Sequence, residues 1–313
     1  MELRQLRYFV AIVDHGSLSR AARVLHVAQP ALTQQLQQLE EELGAQLLHR
    51  SAQGVMSTDA GKTFYEHAQA ILKQVGDAKS AVAQSTTRPA GTVALGIPQS
   101  ASNALALPLL TAVRKSYPEI TLQITEELTG NLIEQLKSGR INLAVLFDDG
   151  QLGVFNTMPL VEEEMRFITR ADSQFAPKGK SIPMAKAIEA PLILPGIQHG
   201  VRPRIEHLVR GMGLSLGEVI DINSIAILKS ALLADMGATI LPAAPVASEI
   251  EHGEMRAYPI TGMNVSRTVS LCWSKNIPLT NAAMAVNRLV LTVTSELCAA
   301  GQWPGAQALQ PGH

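Results

Sequence analysis

Residues 17–42 set two short helical patterns back to back, and this spacing constrains the fold more than any other feature of the chain. Ser17 can cap a helix that begins at Leu18. Ala21, Ala22 and Leu25 then share one face at three- and four-residue spacing. His26, Val27 and Ala28 leave room for little more than a turn. Gln29 can open a second helix, with Pro30 in the first turn, where a missing N–H costs nothing. Leu32, Leu36, Leu39 and Leu43 form the apolar stripe of that helix, and Gln29, Thr33, Gln34 and Gln37 occupy the opposite face. A polar second helix after a tight turn suits a DNA major groove, and Gln can pair bidentately with adenine. The alternative is an ordinary amphipathic helix with a Gln-rich solvated face, because short patterns of this kind also match by chance.

The flanking residues extend the pattern. Upstream, Leu3, Leu6, Phe9, Val10 and Val13 make an amphipathic first helix. Downstream, Gly44–Arg50, the polar loop Ser51–Gly54 and Val55–Thr58 read as a small β-hairpin, or wing. Thr58 can cap a long helix starting near Asp59. Three helices, a wing and a long helix make a winged helix-turn-helix module. Over residues 59–87, Phe64, Ala68, Ile71, Leu72, Val75, Ala78 and Val82 mark a single narrow stripe, which ends before Arg88-Pro-Ala-Gly91. Such a helix has no core of its own and reads as packing against another copy; packing on its own chain is the alternative.

With these residues in place the chain resembles the LysR-type transcriptional regulators over nearly its whole length. The likeness is densest in Leu6-Arg-Tyr-Phe9, Gly16-Ser-Leu18, Ala21-Ala22, Leu25, Gln29-Pro-Ala-Leu32, Leu39-Glu40, Leu43-Gly44, Leu47-Leu48, Arg50 and Thr58-Asp-Ala-Gly61. The stretch Leu25–Gln35 looks closest to the nitrogen-assimilation-control subgroup. The resemblance implies a DNA-binding surface of Ser17, Gln29, Pro30, Thr33, Gln34 and Gln37, with Arg50 and Gln53 near the backbone or minor groove. Gln34 and Gln53 depart from the family pattern, which more often shows Arg at both places. Each change removes a cation and implies altered base preference and a shallower salt dependence.

From Gly91 onward strand and helix patterns alternate. Val93–Ile97, Ile120–Glu126, Leu143–Phe147, Leu192–Leu194, Val219–Ile222 and Thr239–Leu241 read as strands. Helices fit Pro108–Ser116, Leu132–Ser138, Val201–Val209, Ile225–Ala234 and Ala282–Leu297. This succession implies a mostly parallel sheet with covered faces. The resemblance implies an α+β multidomain chain: a winged helix-turn-helix domain (1–58), a linker and dimerisation helix (59–90), and a two-lobed α/β effector domain (91–300) like a periplasmic binding protein. Lobe I would hold 91–161 and 267–300, lobe II 162–266, with Val269–Trp273 returning to the first lobe, and 301–313 would be a flexible tail.

Ligands in such folds sit at the carboxyl ends of strands, near helix N-termini. Ser100 and Ser102 follow the first strand, and Thr129 follows the second in a Thr-Gly-Asn turn. Across the expected cleft lie His199, Gly200 and Arg202. These six residues are the candidate effector site, suited to a carboxylate or another anion; simple helix and turn capping, or surface exposure, is the alternative for each.

Composition sets the remaining bounds. The chain has 313 residues, a formal net charge of −1 and a pI near 6.7. That is not the strongly basic footprint of a non-specific nucleic-acid binder. Residues 1–39 carry four Arg against Glu2 and Asp14, a net of +2. Cys272 and Cys298 show no pairing pattern and suit a reducing compartment, as small buried hydrophobes. No secretory signal pattern opens the chain and no continuous apolar run of about 18 residues appears, so a cytoplasmic protein without a membrane partner is expected. No Gly-x-Ser-x-Gly elbow, dinucleotide fingerprint, phosphate loop or metal spacing occurs, which excludes the common enzyme classes and implies no cofactor. Glu40–Glu42 and Glu162–Glu164 read as solvated charge runs. The reading is a sequence-specific regulator that binds promoter or operator double-stranded DNA as a homodimer or homotetramer, answers to a small-molecule effector and contacts RNA polymerase. Two alternatives remain: a small-molecule binding protein whose N-terminal region only drives oligomerisation, and a regulator that needs no effector.

Overall fold

Short local devices set the N-terminal helices. In the computed structural model, which describes residues 1–51, 54–83, 88–147, 150, 152–197 and 201–309, helix α1 (Leu3–His15) opens on a reciprocal pairing of Glu2 and Gln5 and closes on Gly16 in the left-handed region. Helix α2 (Leu18–Val24) is capped by Ser17 Oγ, which accepts from Arg20 N at 3.4 Å. Helix α3 (Gln29–Leu43) carries Pro30 in its first turn and ends on left-handed Gly44. The three helices bury Leu6, Phe9, Ile12, Ala21, Ala22, Leu32, Leu36 and Leu39 in one core, each at helical spacing on its own element.

Strands β1 (Leu48–Ser51) and β2 (Gly54–Ser57) pair antiparallel as the wing. Val55 N–H donates to Gly16 O at 3.0 Å and ties the wing to the end of α1. A Cβ on Gly54 would lie 2.7 Å from that same carbonyl, so only glycine allows this approach. Glu40 is not part of a solvated charge run. Its Oε1 accepts from Leu47 N at 2.7 Å and Leu48 N at 3.2 Å, satisfying the backbone that leads into the wing.

Helix α4 (Asp59–Ala83) starts where Thr58 Oγ1 accepts from Gly61 N at 2.9 Å. Its first half packs on the helical core, with the Phe64 and Phe9 rings edge to face at 5.2 Å. Burial, and a hydrogen bond to Asp14, push Tyr65 up to about 12. Farther along the stripe Ala78 is exposed and Val82 is 90% exposed.

The chain divides into two compact units. One spans Met1–Ala83 and takes in Ser138–Arg140; the other holds Gln84–Lys137 and Ile141–His313. The second unit begins with β3 (Gly91–Pro98), α5 (Gln99–Ser116), β4 (Ile120–Glu127), α6 (Thr129–Ser138) and β5 (Leu143–Phe147). Next come β6 (Phe155–Arg170), β7 (Ile182–Pro183), α7 (Met184–Ala187), β8 (Leu192–Leu194), α8 (Val201–Gly211), β9 (Val219–Asp221) and α9 (Ile225–Leu233). The last elements are β10 (Thr239–Pro242), α10 (Ala247–Glu251), β11 (Met255–Thr261), β12 (Ser266–Ser274), α11 (Asn281–Ala299) and β13 (Ala306–Ala308).

The main sheet is mixed rather than mostly parallel. β3 pairs parallel with β4 and β5, but β12 runs antiparallel to β5 and β6, and β10 and β11 run antiparallel to β6. Two cores separate along the long strand β6: Val161 packs in the first lobe and Met165 in the second. On the return path Val265 belongs to the second core and Val269 to the first. Two antiparallel strands thus carry the chain between the lobes, which is why the alternation expected for a parallel sheet is broken there. α5 also starts nine residues before Pro108, which sits inside the helix without ending it, and Thr129 is the first helical residue of α6 rather than part of a turn.

The run Glu162–Glu164 is not a solvated face, because Glu163 is fully buried. Its Oε1 accepts from Trp303 Nε1 at 2.6 Å and its Oε2 from Arg267 Nε at 2.7 Å. The expected flexible tail is corrected by the same contacts. Trp303 is 1% exposed, β13 pairs antiparallel with β6 at Val161–Glu163, and Leu309 N–H donates to Leu160 O at 2.9 Å. A buried indole together with strand pairing outweighs the Gly, Gln and Pro content that suggested disorder. Positions 310–313 lie outside the described residues. α11 has the length and composition to cross a membrane, although the sequence holds no unbroken apolar run. Its apolar face, including Ala282, Val286, Val290 and Val293, is packed in the first-lobe core. Trp303→Ala should lower the unfolding free energy by about 3–5 kcal/mol, read by urea denaturation; a loss below about 1 kcal/mol would contradict the anchoring role of this segment.

Candidate nucleic-acid interface and ligand cleft

The outer face of α3 presents uncharged hydrogen-bonding groups. Gln29, Pro30, Gln34 and Gln37 are exposed and Thr33 is half-buried. Positions 29, 33 and 37 lie in one row at four-residue spacing, with 30 and 34 in the adjacent row. The turn before α3 is tight: His26 adopts φ 54° and Val27 N–H donates to Ala22 O at 3.0 Å. Ser19 Oγ donates to Gln29 Oε1 at 2.8 Å, so α2 positions the first residue of α3. Among the described residues no side chain caps α3, and its first-turn N–H groups are placed to meet an anion such as phosphate. Ser17, half-buried, stands at the start of α2 as its cap. Arg20 and Arg23 are exposed on α2, and Arg7 on α1. Arg50 belongs to β1, while its side chain and the whole of Gln53 fall outside the described residues.

In the second unit a cleft opens at the carboxyl ends of β3, β4 and β5. Pro98, Gln99, Ser100, Glu127, Leu128, Thr129, Phe147 and Arg267 line its first-lobe side; Pro195, Val201, Asn223, Ile225 and Leu241 line the other. Its space for solvent is about 50 Å³, and a water needs about 10–15 Å³ of such space. The lobes meet across it through Ile225 N–H, which donates to Gln99 Oε1 at 3.4 Å, and Asn103 Nδ2, which donates to Pro245 O at 3.2 Å.

Arg267 dominates the chemistry of this cleft. It is 3% exposed, and its guanidinium carbon lies 3.5 Å from the centroid of the Phe147 ring. Nε donates to Glu163 and Nη2 donates to Ser100 Oγ at 2.9 Å, but Nη1 finds no partner among the described residues. Burial lowers the Arg267 pKa, while the Glu163 carboxylate acts in the opposite direction.

Of the six candidate effector residues, the structure brings Ser100 and Thr129 together in the cleft. Ser102 is not among the described lining residues. It lies two residues along α5, about 200° around the helix, and its hydroxyl donates to Gln99 O at 3.0 Å and to the Glu126 carboxylate. Arg202 is not among those lining residues either. Its guanidinium donates to Glu206 Oε1 at 2.8 Å and to the Asp221 carboxylate, while its neighbour Val201 faces the cleft. His199 and Gly200 lie outside the described residues. Sequence reasoning missed Arg267, Gln99 and Asn223. The available signal for Arg267 was a lone charge within the otherwise uncharged strand Ser266–Ser274.

Comparison with known proteins then places the chain. Residues 3–62 match the bacterial regulatory helix-turn-helix protein, lysR family, and residues 86–294 match the LysR substrate binding domain. The nitrogen assimilation regulatory protein nac of Klebsiella aerogenes is 36% identical over 94% of this chain and 96% of its own. Its Escherichia coli K12 counterpart is 35% identical over the same shares. Among solved structures, CbnR, a LysR family transcriptional regulator, superposes with a TM-score of 0.67 at 25% identity, covering 94% of this chain and 99% of that one. Full-length OxyR from Pseudomonas aeruginosa shares the fold, with a TM-score of 0.70 at 23% identity over 99% of each chain. The chain belongs to the LysR family: it is a DNA-binding transcriptional regulator, not an enzyme, with an N-terminal helix-turn-helix domain and a C-terminal effector-binding domain.

Proposed function

We propose that α3 reads base edges in the major groove through Gln29, Thr33, Gln34 and Gln37. Pro30 and Ser17 bring helix starts to the phosphate backbone, and the family likeness adds Arg50 and Gln53 as contacts to backbone or minor groove. The observation that carries this reading is the exposed, neutral and ordered outer face of α3. Amides and a hydroxyl supply directional bonds, and the few cations supply a modest non-specific affinity. The half of α4 that leaves Ala78 and Val82 exposed pairs with a second copy, so that two recognition helices reach successive grooves roughly 34 Å apart. A homodimer or a homotetramer built on it meets this need.

A small effector bearing a carboxylate occupies the cleft at Ser100 and Thr129 and biases the arrangement of the lobes; the family likeness adds His199 and Gly200 as candidate contacts. Such a ligand changes DNA affinity or bend only as far as it binds one arrangement better than another. The protein works in the cytoplasm, contacts RNA polymerase at its promoters, and governs genes of nitrogen supply; the two nitrogen-assimilation relatives support that pathway. Relatives at 27% identity are named hydrogen peroxide-inducible genes activators. The thiols argue against that role here: Cys272 is buried, and burial with nearby Glu163 raises the pKa of Cys298, so neither offers a ready thiolate.

Thr33→Ala or Gln34→Ala should weaken binding to a selected operator by about 1–3 kcal/mol and relax base preference; unchanged gel shifts for both would contradict the recognition face. Val82→Glu should weaken self-association by about tenfold or more in sedimentation, since it places charge in an apolar seam; an unchanged assembly would contradict pairing through α4. A metabolite that raises the melting temperature of the native chain should lose most of that shift in Ser100→Ala and Thr129→Ala, whereas equal shifts in all three would contradict the cleft.

A further inference from the structure

Among its described lining residues the cleft contains one charged donor with incomplete bonding and one acid. Arg267 Nη1 is buried without a partner among the described residues, in a side chain already held by Glu163, Ser100 and the Phe147 ring. A buried N–H left unpaired costs about 1–3 kcal/mol, more when it is charged. A ligand oxygen at Nη1 removes that cost. The starts of α5 and α6, at Ser100 and Thr129, face the same space and add partial positive charge. These three groups suit a carboxylate.

Charge balance then restricts the rest of the ligand. The charge of Arg267 is offset by Glu163 at 2.7 Å, so the described lining has no net positive charge to set against an anion. Glu127, the acidic residue among the described lining, is half-buried and holds Asn131 Nδ2 at 2.9 Å through Oε2. A bare anion would sit uncompensated beside a like charge, which is costly at low dielectric. A ligand that carries its own cation beside its carboxylate removes both penalties.

We propose that the cleft binds a small α-amino acid as its zwitterion, with the carboxylate on Arg267 Nη1 and the helix starts of α5 and α6, and the ammonium directed to Glu127. This rests on the reading of the cleft as the effector site and names its ligand class. Asn223, which accepts from Gly196 N at 2.8 Å, and the apolar residues Ile225 and Leu241 are left to meet the side chain. The limited space favours a short side chain, with larger ones requiring the lobes to part.

The test is calorimetry of the full-length protein with the proteinogenic amino acids. Each one that binds is compared with the matching carboxylic acid lacking the amino group and the matching amine lacking the carboxyl. At least one amino acid should bind, and either truncation should weaken it by about tenfold or more, the worth of one charge-assisted hydrogen bond. Glu127→Gln, a half-buried change that leaves the Glu163–Arg267 pair intact, should weaken the amino acid by about tenfold while the carboxylic acid binds no worse. Arg267→Gln should abolish binding; if that variant does not fold, because Glu163 is then buried unpaired, Glu127→Gln decides. The inference is overturned if no amino acid binds, if the plain carboxylic acid binds as tightly as the amino acid, or if Glu127→Gln leaves their ratio unchanged. A dicarboxylate or neutral metabolite that binds in place of amino acids, and loses affinity in Ser100→Ala, would overturn the ligand class and keep the cleft. Amino-acid binding unaffected by Ser100→Ala and Thr129→Ala would overturn the cleft as well.

Discussion

The buried pair between Glu163 and Arg267 ties the two strands that run between the lobes to each other. Each residue stands on one of the two strands that cross between the lobes, and each is almost wholly buried. Burying two charges costs several kcal/mol apiece before their attraction is counted, so the pair is poor evidence of added stability by itself. Its value is positional. Trp303 brings the C-terminal strand to one oxygen of Glu163, and Arg267 takes the other. Arg267 in turn reaches Ser100 and lies over Phe147. One chain of bonded groups therefore runs from the last strand of the sheet, through both crossing strands, to the wall of the cleft. A shift of either crossing strand breaks charge-assisted bonds that water cannot replace there, which favours discrete lobe arrangements over continuous drift.

The DNA-binding domain applies a different economy. Its core is made of apolar side chains at helical spacing, and the outer face of α3, proposed to read the bases, carries amides and a hydroxyl rather than charges. With few cations the non-specific component of binding is small, so amide geometry and the spacing of paired helices have to supply selectivity. That suits a chain of net charge −1, whose composition alone gives no hint of DNA.

Legibility followed how local the causes were. Caps, turns and stripes are set within a few residues, so the Leu3–Val13 stripe announced α1, and Ser17, Pro30, Gly44 and Thr58 announced α2 to α4 and the wing. Ser100 and Thr129 were legible because a strand followed by a helix puts its junction at the cleft. Strand β6 was not legible: its three consecutive Glu mask an alternation in which the middle one points inward. The cause lies more than one hundred residues away in Arg267 and Trp303, and no local pattern carries it. Ser102 and Arg202 lie off the described cleft lining for a simpler reason. Each sits on the correct element, but a helix turns about 100° per residue and aims the side chain elsewhere.

The central claim is that this chain reads a defined DNA sequence as a paired assembly. The most direct measurement is selection of bound fragments from the source genome by the purified full-length protein, followed by footprinting. The account predicts a shared motif with two half-sites separated by about one or more turns of the duplex, roughly 34 Å each, and bound less tightly as salt rises. Enriched fragments with no common motif, or no salt-dependent binding at all, would contradict it and leave only a ligand-binding protein with an oligomerising N-terminal domain.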